Sequence, residues 1–335
     1  HHELLAEHYL YLPSFGFVLL VSLLLTRAAA TPRWKYPVYT LFALIIMLFS
    51  LRTFYRNYDW KDSFTIWSKT VKTVPSCVRA INNLGIEYYN RKDYETAKGL
   101  YNRAITLQPA YEKAYYNLGN IYKEEKNYER ALAMYVKTAE LNPTNYRNFN
   151  NLGNAYAMQK NFPEAIKAYR SALERKPDYA EAYNNLGNVY RNLQDYDQAI
   201  VNYEKALTLN RGYIDAYYNL ADTFSSLQRY DQATEVLVQA ARINRFFPAS
   251  FYRLGAAYEK TGQFDKSIEA YQTALQLSPV YSEARLRLAQ LYLEKVKDRE
   301  KALYHLRMVL EKEPQHPQAE RIRQVIGTIE KEAAG

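Results

Sequence analysis

Leucine recurs every 34 residues through most of this chain, and that recurrence limits the fold more than any other feature. The series is Leu84, Leu118, Leu152, Leu186, Leu220, Leu254 and Leu288. A small residue follows each one: Gly85, Gly119, Gly153, Gly187, Ala221, Gly255 and Ala289. Three residues later stand the aromatics Tyr88, Tyr122, Tyr156, Tyr190, Phe224, Tyr258 and Tyr292. A second series, Ala97, Ala131, Ala165, Ala199 and Ala233, precedes by four Tyr101, Tyr135, Tyr169, Tyr203 and Leu237. Spacings of three and four put each set on one face of a helix. Pro109, Pro143, Pro177, Pro279 and Pro314 end the second helix of their units, because proline has no N–H to donate. Each unit is a helix pair whose apolar face is buried only by stacking on its neighbours.

The period and the pattern resemble the tetratricopeptide repeat (TPR). They predict an all-α chain with seven repeats over residues 78–316, forming an α-solenoid wound as a right-handed superhelix. A polar helix over residues 318–331, within a tail of residues 317–335, reads as the cap that such arrays need for solubility. Three departures stand out. Asn210-Arg211 and Asn244-Arg245 occupy places where proline is expected, which predicts less sharply broken junctions. Ser267 replaces the small alanine of the sixth repeat. Lys297-Asp298-Arg299 brings one extra residue into the seventh and moves its small position to Ala302.

The amino-terminal end has a different character. Residues 10–25 and 36–54 are apolar stretches, which predict two transmembrane helices in a membrane segment over residues 1–56. A pair of core helices in a soluble domain is the alternative; the second stretch, apolar on all faces, argues for the bilayer. Arg27, Arg33 and Lys35 in the connecting loop point that loop to the cytoplasm and the array to the extracytoplasmic side. The chain opens on His1 with no leader pattern and reads as a piece of a larger protein, although His1-His2 also fits a tag scar. Extending the register backwards by one period lands on Trp60, Trp67 and Pro75. Residues 60–74, within a junction over 57–77, therefore read as an orphan second helix, with Trp67 expected to be buried on the first full repeat.

In arrays of this kind the first helix of each repeat lines the inner surface. The residue before each leucine is Asn83, Asn117, Asn151, Asn185, Asn219, Arg253 or Arg287. Two residues after the leucine come Asn120, Asn154 and Asn188, and two before it come Asn82, Tyr116, Asn150, Asn184 and Tyr218. A carboxamide both donates and accepts, so a row of them facing solvent matches an extended polypeptide backbone without reading its sequence. Tyrosine adds apolar area with a polar tip. Arg253 and Arg287 continue the row as cations, which predicts a ligand that is acidic toward that end. The carboxylate clamp of chaperone-adaptor TPRs is incomplete: Asn188, Asn219 and Arg253 fit it, while its two lysines are replaced by Asn184 and Ala249.

Other chemistry is sparse. Of 44 Lys+Arg and 35 Asp+Glu, residues 1–77 hold 8 and 4, leaving 36 and 31 for the long array. So small an excess over so long a mixed-charge surface is not a nucleic-acid footprint. The single cysteine, Cys77, excludes an internal disulfide. The five histidines show no ligand spacing, His305 reads as a surface residue, and no cofactor is expected in this chain.

The stretch AEHYLYLPSFGF at residues 6–17, two apolar segments, the Arg52–Asp62 region and then the repeats together resemble the membrane O-mannosyltransferases that carry TPRs. The asparagine row also resembles that of the soluble O-GlcNAc transferase. The first resemblance implies a many-spanning GT-C type core. Such a core moves sugar from a polyprenyl-phosphate donor to Ser or Thr of an acceptor protein, outside the cytoplasm. The family's catalytic acids lie in an early outer loop that this chain does not contain, so no catalytic residue is assigned. Glu7, His8 and Tyr11 flank the first apolar stretch and are candidates for the donor site or for interfacial anchors; His8 stands where relatives often have Arg. A membrane-anchored TPR scaffold without an enzyme is the alternative reading.

Overall fold

The computed structural model describes residues 22–23, 26–27, 35–59 and 62–334. It is helical throughout those residues, in two compact units, one up to Ala114 and one from Tyr115. The first holds α1 (Lys35–Asp59), α2 (Ser63–Thr73), α3 (Val78–Asn90), α4 (Tyr94–Leu107) and the start of α5 (Glu112–Glu124). The second holds the rest of α5, then α6 (Tyr128–Leu141), α7 (Tyr146–Met158), α8 (Phe162–Arg175), α9 (Ala180–Asn192) and α10 (Tyr196–Leu209). It continues with α11 (Ile214–Ser226), α12 (Tyr230–Ile243), α13 (Pro248–Lys260), α14 (Phe264–Leu277), α15 (Ser282–Leu291), α16 (Arg299–Lys312) and α17 (Ala319–Ala334).

Each repeat turns from its first helix to its second through a residue in the left-handed region. These are Lys92, Lys126, Lys160, Gln194, Gln228, Gly262 and Lys297, with φ between 59° and 71°. The turn closes a helix end in the usual way. In the first repeat Asp93 N donates to Tyr88 O at 3.0 Å and Lys92 N to Tyr89 O at 2.9 Å. The next residue caps the second helix at Asp93, Asn127, Asp195 and Asp298, as Asp93 accepts from Thr96 N and Asn127 from Arg130 N, both at 3.2 Å, whereas Asn161 makes no such bond.

The two helices of a repeat meet at the small residue. A Cβ built on Gly85, Gly119, Gly153, Gly187 or Gly255 would lie 2.5–2.7 Å from Cε1 of Tyr101, Tyr135, Tyr169, Tyr203 or Tyr271. That is closer than carbon atoms approach, so glycine there is a packing requirement. The two repeats with alanine confirm the rule by exception: Ala221 faces Leu237 in one core cluster, and Ala289 faces Leu306 in another. Where the aromatic becomes leucine, the glycine becomes alanine, and the volume at the crossing is kept.

Several expectations are corrected. The junctions that lack proline are broken as sharply as the others. Asn210 N donates to Ala206 O at 2.8 Å and Tyr213 N to Asn210 O at 3.1 Å, as at the proline junctions, and Asn210 Oδ1 also accepts from Gly212 N. The extra residue of the seventh repeat is absorbed upstream of Lys297, in a π turn over Tyr292–Val296 at the end of α15. Ser267 does fill the alanine site, with its hydroxyl donating to Gly255 O at 2.8 Å. In the orphan helix α2, Asp62 accepts from Thr65 N at 2.8 Å. Phe64 meets Tyr88 edge-on at 5.4 Å, and Arg91 lies over the Phe64 ring. Trp67, expected to be buried, is half-buried.

Among the described residues no helix is long and apolar enough to cross a membrane. The second expected span, residues 36–54, falls within α1, whose uninterrupted apolar run covers only residues 41–49. At about 1.5 Å per residue this is roughly 14 Å, against a hydrocarbon core of roughly 30 Å. Most of the first expected span, residues 10–25, lies outside the described residues, as does Trp60.

The crossing rule gives a double-mutant test. Gly153→Ala should lower stability by about 1–3 kcal/mol, the usual cost of forcing an extra carbon into a closed contact. Adding Tyr169→Leu should recover part of that loss. Thermal melts followed by circular dichroism measure the coupling, and strictly additive losses would refute the rule.

Candidate polypeptide-binding face

From Asn151 onward, the residues before the repeat leucines form one row, and each reaches back to the preceding repeat. Asn151 Nδ2 donates to Asn120 Oδ1 at 2.9 Å and to Tyr116 OH at 3.1 Å. Asn185 Nδ2 donates to Asn150 Oδ1 at 3.1 Å, and Asn219 Nδ2 to Asn184 Oδ1 at 3.0 Å. Arg253 continues the pattern with its guanidinium 3.2 Å from Asp222 Oδ1 and 4.6 Å over the Tyr218 ring. Arg287 lies 3.9 Å from the Glu259 carboxylate. Asn117 holds the same position in its own repeat. Asn83 lies in the first unit, where its Oδ1 is 3.5 Å from Asn82 Nδ2.

The asparagines two residues after the leucines have a different duty. Asn120, Asn154 and Asn188 accept from the hydroxyls of Tyr135, Tyr169 and Tyr203 at 2.8, 2.7 and 2.8 Å. These are the tyrosines that the glycine crossings bury. A buried hydroxyl without a partner is costly, so each such asparagine stabilises a core position as well as the face. In the sixth repeat Glu259 takes that part, accepting from Tyr271 OH. Burial pushes the Tyr203 phenol up to about 12 and raises Tyr169 and Tyr271 further, so all three stay neutral donors. Tyr218 OH is 2.7 Å from the buried Ser250 hydroxyl.

The expectation of carboxamides lying free in solvent is therefore corrected. They are half-buried, and the Nδ2 groups of Asn151, Asn185 and Asn219 link neighbouring repeats. Arg253 and Arg287 are likewise not free cations, because Asp222 and Glu259 face them. Sequence reasoning did not single out these two carboxylates. The signal was present: Asp222 stands 31 residues before Arg253, the spacing of Asn120 to Asn151, so an amide pair is replaced by an ion pair at one register. Glu181 was also missed; it accepts from Asn150 Nδ2 at 3.0 Å and from Tyr179 OH at 2.8 Å. Glu7, His8 and Tyr11 lie outside the described residues.

Helix pairs at a 34-residue period, closed on a small residue and joined through their first helices, define a TPR solenoid. Sequence profiles of the tetratricopeptide repeat match residues 112–145, 180–213 and 248–281. Further TPR profiles match 85–125 and 159–194, 134–167, 214–247 and 283–316. The chain belongs to the tetratricopeptide-repeat proteins. It is 31% identical over 80 residues to human protein O-mannosyl-transferase TMTC3, a match covering 24% of this chain and 9% of that protein. It is 36% identical over 81 residues to Drosophila melanogaster protein O-mannosyl-transferase Tmtc2, covering 24% and 8%. The matches thus span less than a tenth of those relatives. Among solved structures, the C-terminal part of a TPR protein from Cytophaga hutchinsonii superposes with a TM-score of 0.60 at 16% identity, covering 71% of this chain and 97% of that one. PilF of Pseudomonas aeruginosa gives 0.54 at 23%, covering 64% and 97%. These two show the fold.

His305, expected on the surface, is buried in α16 at 8% exposure. It stacks on Tyr292 at 5.7 Å and meets Tyr304 edge-on at 5.2 Å. Burial, with the nearby Arg285 guanidinium, lowers its pKa from 6.5 to about 4. The unfolded chain therefore takes up a proton at this histidine before the folded chain does. Its contribution to stability is complete above the ordinary histidine pKa and is lost as pH falls toward 4. The melting temperature should fall across that window more steeply in the native chain than in His305→Phe. Parallel pH profiles for the two chains would refute the assignment.

Proposed function

We propose that the array holds an extended, unstructured, Ser/Thr-containing polypeptide along the face of its first helices. One observation carries this reading. Asn151, Asn185 and Asn219 each commit Nδ2 to the preceding repeat and leave Oδ1 with no hydrogen-bond partner among the described residues. A row of unmatched acceptors at one place per repeat suits a ligand with regularly spaced donors, and a polypeptide backbone has them. Packed helices lie roughly 8–10 Å apart, and an extended strand rises about 3.3 Å per residue, so the acceptors meet the backbone about every third residue.

The role we assign to this grip is that of the acceptor-binding part of a membrane protein glycosyltransferase. In that reaction sugar moves from a polyprenyl-phosphate donor to a Ser or Thr hydroxyl, with the catalytic acids elsewhere in the whole protein. The partial identity to protein O-mannosyl-transferases and the motif at residues 6–17 support this role. Membrane attachment is supported by α1, where Ile46, Met47, Leu48 and Phe49 are exposed in succession and thus around the whole helix. The division into a membrane segment, a junction, seven repeats and a cap belongs to the same proposal, as does an extracytoplasmic array.

The test is titration of the chain with Ser/Thr-rich extended peptides, comparing the native protein with Asn151→Ala, Asn185→Ala, Asn219→Ala combined. Each lost hydrogen bond should weaken binding by roughly 0.5–1.5 kcal/mol, and the melting temperature should also fall because the repeats lose their links. Unchanged affinity in a variant that is still folded would refute the acceptor row.

A further inference from the structure

A different edge of the array carries a second surface. The turn from each second helix to the next repeat is closed by a backbone bond from its fourth residue to its first. Phe247 N donates to Asn244 O at 3.2 Å, Tyr281 N to Ser278 O at 3.1 Å, and Tyr213 N to Asn210 O at 3.1 Å. The third residue of such a turn is held at its tip and cannot fold back on the array. In successive turns that residue is Ala110, Thr144, Asp178, Gly212, Phe246, Val280 and Gln315. Five are small or polar. Phe246 is 80% exposed and Val280 is 59% exposed, in adjacent repeats, with Phe247 and Ile243 also exposed beside Phe246.

The charged residues of the Arg242–Phe247 turn itself are both arginines, while Asp215 and Glu283 stand in the first turns of the helices that follow the neighbouring turns. The second turn residue is proline elsewhere but Arg211 and Arg245 here, and Arg242 lies at the end of α12. All three are exposed, and none takes part in an ion pair among the described residues. The Arg245 guanidinium is 6.0 Å from the Phe246 ring, so cation and aromatic project together. Since the neighbouring turns close equally well, the fold does not require this composition. Exposing phenylalanine to water has no structural return, whereas an aromatic at a water–hydrocarbon boundary is stabilised there. Arginines flanking it match the phosphates of anionic lipid.

We propose that the Arg242–Phe247 turn, with Val280 and Arg211 beside it, is a membrane-contact edge that inserts Phe246 at the surface of an anionic bilayer. This goes beyond the polypeptide grip and uses none of its residues. The turn docks by insertion of one or two side chains and by charge, so the contact is shallow and salt-sensitive.

The experiment reads the edge locally, because α1 by itself can bring the chain to vesicles. In a Cys77→Ser background, an environment-sensitive fluorophore is attached to the full chain at Phe246→Cys, and in a control chain at Val201→Cys on an exposed helix face. Phosphatidylcholine vesicles with and without phosphatidylglycerol are added, carrying a lipid-borne quencher. The label at 246 should shift to the blue and be quenched in the anionic vesicles only, and the label at 201 should not. Arg242→Ser with Arg245→Ser should weaken that insertion by about thirtyfold, and raised salt should reverse it. A label at 246 that stays in water on anionic vesicles, or that is quenched equally on neutral ones, would overturn the proposal. The peptide titration above is unaffected by either result, so the two readings fail separately.

Discussion

The contact on which the rest depends is the crossing of glycine under tyrosine inside each repeat. Removing one Cβ lets a phenol ring lie flat against the opposite helix, and the ring then fills the space that a larger first-helix residue would occupy. Three consequences follow in order. The ring is buried, so its hydroxyl needs an acceptor, and Asn120, Asn154 and Asn188 supply it. The first of these asparagines then has a lone pair to offer the next repeat, which Asn151 takes. Asn151 is thereby turned so that its own oxygen is left unmatched. A decision made in the core thus reaches the surface through two hydrogen bonds.

The same contact shows how the array tolerates change. In the fifth and seventh repeats the ring is leucine, the hydroxyl is gone, and the acceptor beneath it is free to change. Asp222 stands at the corresponding place in the fifth repeat and faces Arg253 of the sixth. Neutral amide pairing gives way to an ion pair without a shift in register, because both are two-residue links between adjacent first helices. The face therefore changes character along its length, from carboxamide to compensated charge, while each link keeps the same mechanical duty.

Much of this was legible in the sequence, and the boundary of legibility has a physical cause. The 34-residue series gave the helix pairs, since the leucine, glycine and aromatic positions report one helix on itself or on its partner. The crossing rule was also legible, as Gly with Tyr and Ala with Leu, once both series were read together. Links between repeats were not read, because a donor and acceptor 31 or 35 residues apart become neighbours only when two repeats are stacked. Hence Asn151, Asn120 and Tyr116 were each placed on the face while the hydrogen bonds that join them were not read. His305 was placed on the surface although it stands three residues after the small Ala302, where earlier repeats have the buried Ala168, Asn202 and Ala270. Tyr292 stacks on the imidazole ring. The apolar stretch at residues 36–54 gave the helix correctly but overstated its continuous apolar length.

The turns between repeats show why such an array can carry more than one surface. Their closure uses backbone groups and, at two of them, an Asn side chain, as Asn142 Oδ1 accepts from Thr144 N and Asn210 Oδ1 from Gly212 N. The outward residues are consequently released from any part in folding. Residues on the first-helix face lack that freedom, because each also links two repeats. A change of partner at the face must therefore proceed through paired substitutions, such as Asp222 with Arg253, whereas a change at a turn tip needs only one residue. Composition at the tips is accordingly the more direct record of what surrounds the array, and composition along the face is a joint record of stability and recognition.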